Sequence, residues 1–318
     1  MSRAVLSFAS VAAAVCVLAA LFLLTGGNPA STAQASGSRS AATVPGKLVV
    51  VFQKQKDPGQ LLAQAEQISA YLSERINMPV ETVVPSSYGA TVQALVSNPA
   101  HVAYVSSLPY VLARQEAPVT MPLAEVRGGK TEYDSIFVVR ADSDLQSLED
   151  LRGKRMAFTS PTSTSGYLMA YSRLVDDGLL APKQQPGEFF GQVTFAGGYD
   201  RALMAVANGQ ADVCAVSDYT MEGPKANLYL DDATRAKLRI LTRTPGVPTH
   251  GICMRSDLPP NLQSQIVDAL LELSAERPEL LADVYGAAEL RRVDGKEHVA
   301  GTLKALENTG LGVEGFVD

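Results

Sequence analysis

Residues 87–107 (SYGATVQALVSNPAHVAYVSS) and 198–218 (GYDRALMAVANGQADVCAVSD) superpose without a gap at an offset of 111 residues. Tyr88/Tyr199, Ala94/Ala205, Ala100/Ala211, Val102/Val213, Val105/Val216 and Ser106/Ser217 are identical pairs. Ala and Val are common in this chain, so the identities weigh less than the shared order of elements. Each copy reads as a polar turn with a tyrosine, a short apolar helix, and a strand that ends in polar residues. A chain that repeats such a unit builds two similar half-sheets. Two lobes follow, with their strand ends facing one cleft.

The rest of the pattern is α/β. Residues 48–52 (LVVVF) read as a strand buried on both faces. Leu61, Leu62, Ala65, Ile68, Leu72 and Ile76 form the apolar stripe of a helix, and 79–84 read as a second strand. Residues 119–130 read as irregular, 133–140 (YDSIFVVR) as a strand, and 142–154 as a capped turn and short helix. Residues 225–240 read as polar and helical, 245–255 as turn residues and a strand, and the chain from 260 onward as helical. The chain is expected to pass between lobes near 138–142 and 243–250, with the carboxyl-terminal helices returning to the first lobe. That gives lobe one as 47–138 with 252–318 and lobe two as 139–251.

The most distinctive polar stretch is residues 159–166 (TSPTSTSG), between an apolar strand ending at Phe158 and an amphipathic helix that stops at Gly178. One hydroxyl is enough to cap a helix. Here four consecutive hydroxyl residues, 162–165, stand where unpaired backbone N–H groups and the positive end of the helix dipole attract anions. The pattern reads as an oxyanion cradle, with a plain cap as the alternative.

Several classes fall away. Residues 4–24 are an uncharged apolar run after a single arginine, and 25–46 are rich in small residues, so the chain is exported; residues 1–46 are a cleaved signal or a retained membrane anchor with its linker. The net charge of −6 with no basic run argues against nucleic acid as a partner. Cys214 and Cys253 lie in apolar strand contexts that suit buried free thiols, and His101, His250 and His298 show no metal-ligand spacing. No nucleophile elbow surrounds Ser163 or Ser165, and 153–155 lack a P-loop pattern, so no catalytic residue, metal or cofactor is expected.

STSGY at 163–167 resembles the oxyanion loop of periplasmic solute-binding proteins of phosphonate, phosphite and phosphate ABC importers. The resemblance extends to PSSYGATVQAL at 85–95, YDS at 133–135 and DSDLQSLEDLRGKRMAFTSPTSTSGY at 142–167. It implies a two-lobed type II periplasmic binding-protein fold with a ligand cleft between the lobes, no catalysis, capture of a small oxyanion by hinge closure, and delivery by a monomer to a permease and its ATPase. Matching positions place ligand contacts at Tyr88, Tyr133, Ser163, Thr164 and Ser165. Family members carry a histidine where this chain has Tyr199, and aminophosphonate binders an acid where it has His250. Those departures favour an amine-free oxyanion.

Each residue has a plainer reading. Tyr88 and Tyr199 also suit packing at turns, Tyr133 a core strand, and His250 a hinge. If protonated, His250 adds a charge-assisted hydrogen bond to the ligand. Ser106, Ser107, Ser217 and Asp218 end the repeated strands and line the cleft or cap turns. Two other functions stay open: a membrane-anchored sensor, and an enzyme on the binding-protein fold.

Overall fold

The computed structural model describes residues 44–97 and 99–316; the expected export segment at 4–24 and its linker through 43 lie outside them. β1 (Leu48–Phe52) grows from the apolar run and pairs in parallel with β2 (Val80–Val83) and β3 (Val102–Val105). α1 (Pro58–Ile76) makes the first crossover. Asp57 accepts from Gln60 N as its cap, proline opens the first turn, and Asn77 ends it in the left-handed region at φ 49°. α2 (Tyr88–Val96) starts at Ser87, whose hydroxyl accepts from Ala90 N, and α3 (Ser107–Glu116) follows β3.

β4 (Val119–Val126) occupies the stretch expected to be irregular. Pro122 and Glu125 break its apolar run, but both faces are covered: Leu123, Ala124 and Glu125 are fully buried. β5 (Glu132–Arg140) comes next, then β6 (Arg155–Phe158), α4 (Met169–Asp176), β7 (Gln192–Phe195), α5 (Tyr199–Ala207) and β8 (Val213–Ser217). α6 (Asp232–Arg235) is the one α-helical turn in a segment expected to be helical throughout. β9 (Leu238–Pro248), β10 (Gly251–Arg255), α7 (Pro260–Glu276), α8 (Pro278–Tyr285), β11 (Glu289–Arg292), α9 (Gly295–His298) and α10 (Ala300–Thr309) complete the order.

Two mixed sheets result, ordered β11-β4-β10-β3-β1-β2 and β7-β6-β8-β5-β9. The sequence echo is structural. α2 and β3 correspond to α5 and β8 at the same offset, and each of these strands lies between a parallel neighbour (β1, β6) and an antiparallel one (β10, β5). Strands that share this pattern bring their polar carboxyl ends to the same side of each sheet.

Two expected boundaries shift. All of β5 belongs to the second sheet, because its buried Ile136, Phe137, Val138 and Val139 lie between β8 and β9. The chain therefore leaves the first sheet between Val126 and Glu132, not near 138–142. It does so through a two-residue Gly128-Gly129 turn, both glycines at positive φ, closed by Arg127 and Lys130. The return falls at Thr249 and His250. In addition, α7 and α8 pack on α1 of the first sheet, but α10 packs on α4, where Asn308 Nδ2 donates to Ser172 and Asp176. Residues 300–316 thus cover the second sheet, and Phe316 meets the Tyr167 ring at 5.7 Å.

Among the described residues no helix is long and apolar enough to cross a membrane. Cys214 and Cys253 are buried free thiols, and burial pushes both up, Cys253 to about 12. Leu95 and Val206 are echo partners, and neither is exposed at all. Leu95→Ala is expected to destabilise the protein by about 2–5 kcal/mol in urea unfolding; a loss below about 1 kcal/mol would mean that α2 is not part of the core.

Candidate functional site

The hydroxyl loop leaves β6 and enters α4 through a wide, five-residue π turn, Thr164–Leu168, with Leu168 N donating to Ser163 O at 3.1 Å. Such turns are uncommon and cluster at functional sites. Ser163 is its cap: the hydroxyl oxygen accepts from Gly166 N at 3.1 Å, which leaves its O–H free to donate. A Cβ on Gly166 would stand 2.2 Å from Thr159 Oγ1, so only glycine fits that turn. Residues 163–165 are completely buried.

Ser165 Oγ is the centre of convergence. It lies 2.8 Å from Ser217 Oγ, 2.9 Å from the Tyr199 hydroxyl and 3.4 Å from that of Tyr133. Its carbonyl accepts from Ser135 Oγ at 2.7 Å, which fixes the loop against β5. Tyr88, on the first turn of α2, reaches the same region from the other sheet, near the Tyr199 and Tyr133 hydroxyls. Its hydroxyl is buried and has no partner in good hydrogen-bond geometry; the Gln53 side chain is the polar group beside it. A buried polar group left this way is costly unless something else satisfies it. Burial raises Tyr88 and Tyr133 well above the ordinary phenol value, so both stay neutral O–H donors across physiological pH.

Thr164 points across the cleft. Its hydroxyl oxygen accepts from Leu108 N at 2.9 Å and from Ser107 Oγ at 3.3 Å, and Ser107 also pairs with Thr302 at 2.6 Å. The structure therefore gathers Ser165, Tyr133, Tyr199 and Tyr88 in one group and Thr164 with Ser107 in a second. Ser163 underlies both as the cap.

His250 lies in the return crossing, its ring nearly parallel to that of Tyr133 and 6.2 Å away. Its Nε2 is 2.6 Å from Gln55 Nε2, while Gln55 Oε1 accepts from the Tyr219 and Tyr229 hydroxyls at 3.3 and 3.4 Å. An amide NH2 only donates, so in this arrangement His250 Nε2 accepts and Nδ1 carries the proton. Nδ1 faces Glu125 Oε2 at 3.4 Å without hydrogen-bond geometry. The ring thus stands at the wall of the cleft with its Nδ1 edge toward Glu125.

Glu125 is completely buried. Burial alone would raise its carboxyl; Arg127, then His250 and the Tyr104 hydroxyl at 2.6 Å, outweigh burial and lower it to about 2. Arg127 Nε donates to the carboxylate at 3.0 Å, and the guanidinium lies 3.8 Å over the Tyr219 ring. This pair sits at the first crossing, where Thr249 Oγ1 of the return crossing donates to Glu125 O at 2.7 Å.

Gln53, Gln55, Glu125, Arg127, Tyr219 and Tyr229 carry much of this arrangement, and no motif pointed to them. Gln53 and Gln55 did carry a positional signal. They directly follow a parallel strand, at the carboxyl end where ligand sites of α/β sheets form. Gln53 Oε1 accepts from Ser106 N at 3.0 Å, tying the ends of β1 and β3 together.

The family described as "ABC transporter, phosphonate, periplasmic substrate-binding protein" matches residues 50–298. The chain is 28% identical over 180 residues to the phosphate-import protein PhnD of Mycolicibacterium smegmatis, covering 55% of this chain and 56% of that protein. It is 24% identical over 244 residues to the probable ABC transporter phosphite-binding protein PhnD1 of Prochlorococcus marinus, covering 72% and 79%. The match thus spans little more than half of the first relative. The solved structure of the Prochlorococcus protein, in complex with methylphosphonate, superposes with a TM-score of 0.73 at 19% identity, covering 84% of this chain and 99% of that one. A phosphonate-transporter binding component from Pseudomonas aeruginosa gives 0.71, also at 19%, covering 84% and 91%. These likenesses place the chain in the two-lobed α/β architecture.

A carboxyl whose folded value lies below its unfolded one binds its proton later in the folded protein than in the unfolded chain. Glu125 therefore contributes its full stability above pH 4.5 and loses it as pH falls from there through about 2. The expected contribution is on the order of 3 kcal/mol. Urea unfolding of wild type and Glu125→Gln between pH 6 and 2 checks it: the variant should start less stable and lack that part of the acid loss. Parallel curves would refute the assignment.

Proposed function

Because the chain belongs to the family of periplasmic substrate-binding proteins of phosphonate ABC transporters, we propose that it captures a small, amine-free phosphorus oxyanion between its two sheets. The family is one of transport binding proteins rather than enzymes. The protein works outside the cytoplasmic membrane as a monomer, closes over the ligand, and presents the closed form to a permease and its ATPase. Residues 47–126 with 251–299 form one moving lobe, and 132–248 with 300–316 the other. Three segments join them: 127–131, 249–250 and the junction of α9 with α10 at Val299. Ligand affinity for the closed form supplies the free energy of the shift.

The observation that carries this reading is the convergence on Ser165 Oγ together with the orphaned Tyr88 hydroxyl. A tetrahedral anion needs donors from several directions. Hydroxyls can rotate from one another toward it without a net charge having been buried first. Tyr88, Tyr133, Tyr199, Ser163, Thr164, Ser165 and Ser107 are the donors we assign, with His250 closing the end of the site. A ligand amine would need a free acid. The buried Glu125 beside His250 is already committed to Arg127 and Tyr104.

Two measurements test the reading. Calorimetry against phosphate, phosphite, methylphosphonate, 2-aminoethylphosphonate and sulfate should give one-to-one binding of a phosphorus oxyanion, with the aminophosphonate weaker than methylphosphonate. Silence across the panel would sink it. Removal of two donors to a charged ligand, Ser163→Ala with Thr164→Ala, should cost roughly 1.5–3 kcal/mol each, hence at least about a hundredfold in Kd.

Tyr88→Phe separates function from stability. It deletes an unsatisfied buried hydroxyl, so the ligand-free protein should keep or gain stability by up to about 1–3 kcal/mol while affinity falls about tenfold or more. A variant that loses stability and binds normally would place Tyr88 in the core alone.

A further inference from the structure

α3 and α5 both start at the cleft, and neither is capped by its own N-cap side chain: Ser106 Oγ is engaged by Gln53, and Gly198 has no side chain. Each is satisfied from the opposite sheet. Thr164 accepts from Leu108 N of α3, and the carbonyl of Gln55 accepts from Tyr199 N of α5 at 3.1 Å. The first-turn N–H groups of a helix must find partners somewhere, so the lobes complete one another's helices only when they meet.

Gln55 does more than cap. Its side chain is completely buried, accepts from Tyr219 and Tyr229 on the second-sheet side, and donates to His250 in the hinge. Tyr199, whose N–H it holds, places its own hydroxyl on Ser165. Gly198 eases the approach: a Cβ there would stand 3.3 Å from Gln55 O and 2.5 Å from Asp200 Oδ1. We propose that Gln55 is the positioning residue for closure: it holds α5, and with it Tyr199, against the first lobe and ties that contact to His250 and the hinge. It bonds to none of residues 163–165. Its effect is on how long the closed form lasts.

The proposal rests on the binding-protein reading above, and the test keeps the two separable. Wild type, Gln55→Ala and Tyr219→Phe with Tyr229→Phe are compared by rapid-mixing kinetics with methylphosphonate and by small-angle scattering with and without it. Gln55→Ala keeps the carbonyl on Tyr199 N but removes the bonds to Tyr219, Tyr229 and His250. It should weaken binding about ten- to a hundredfold, nearly all in the off-rate, with the on-rate within about threefold of wild type. Its ligand-free form should be more open, and it should still close at saturation. A merely structural role would lower the melting temperature and leave the off-rate and lobe separation unchanged; that result overturns the proposal. If Gln55→Ala does not fold, Tyr219→Phe with Tyr229→Phe, which removes both phenol bonds to Gln55 Oε1, must show the same off-rate and opening, and wild-type values there overturn it. If wild type binds no oxyanion, the function is wrong but the latch is still tested: an unchanged ligand-free scattering profile refutes it.

Discussion

Ser165 Oγ has three hydroxyl neighbours, Ser217, Tyr199 and Tyr133, and a hydroxyl can make at most three hydrogen bonds. The rest of the cleft depends on that closed account. Buried hydroxyls are tolerable when they satisfy one another, and each can turn its proton to a stronger acceptor without any heavy atom moving. The surrounding structure keeps them dry and in register. Ser135 holds the loop by its carbonyl, Gly166 lets the turn pass against Thr159, and Ser163 caps the turn from within. Tyr88 stands outside the account. It comes from the other sheet, and its buried hydroxyl has no partner in good geometry; on the proposed reading the ligand supplies one.

The hinge meets a different demand. Two strands cross between sheets side by side, and a carboxylate, a guanidinium and an imidazole are packed there. Burying such charges is costly, and replacing the set with apolar residues would often be neutral for stability. Geometry is what the set can contribute. Glu125 bonds Tyr104 and Arg127; Arg127 also donates to Tyr285 O at 2.7 Å and stacks on Tyr219. First-sheet groups and a ring on the second-sheet side are thus held by one guanidinium, at the segment that the proposed reading makes a hinge.

Elements with local causes were legible in the sequence. The echo at 111 residues returned as matching helices and strands, because its signal, apolar spacing after a tyrosine turn, lies within each 21-residue window. The hydroxyl loop was legible for the same reason. β4 was not, since its two edges pair with β10 and β11 and α9 packs on it, all far along the chain. The QKQKD stretch at 53–57 looks like a solvated loop by composition, yet Gln53, Lys54, Gln55 and Lys56 are all buried. Their cover is non-local: α8 supplies the Asp283 carbonyl for Lys56, and the second lobe supplies phenols for Gln55. The symmetry of the fold held the missing clue. β1 ends at Phe52 and β6 at Phe158, and these are equivalent strands, so the residues after Phe52 occupy the place that the hydroxyl loop occupies in the other half.

That equivalence explains how the work divides between the halves. After β6 the chain presents small hydroxyls, which rotate freely and suit a ligand that comes and goes. After β1 it presents amides, each with a fixed donor end and a fixed acceptor end. Gln53 uses both ends on Ser106 of its own lobe. Gln55 uses its acceptor on phenols of the other lobe and its donor on the hinge histidine. A polarised group bound at both ends resists reorientation, which suits alignment of two bodies better than capture of an ion. On the proposed reading, the hydroxyl half supplies adaptable donors to the oxyanion and the amide half supplies the orientation in which the lobes meet. A neutral site of rotating hydroxyls then discriminates by the number and direction of ligand oxygens, and only weakly by ligand charge.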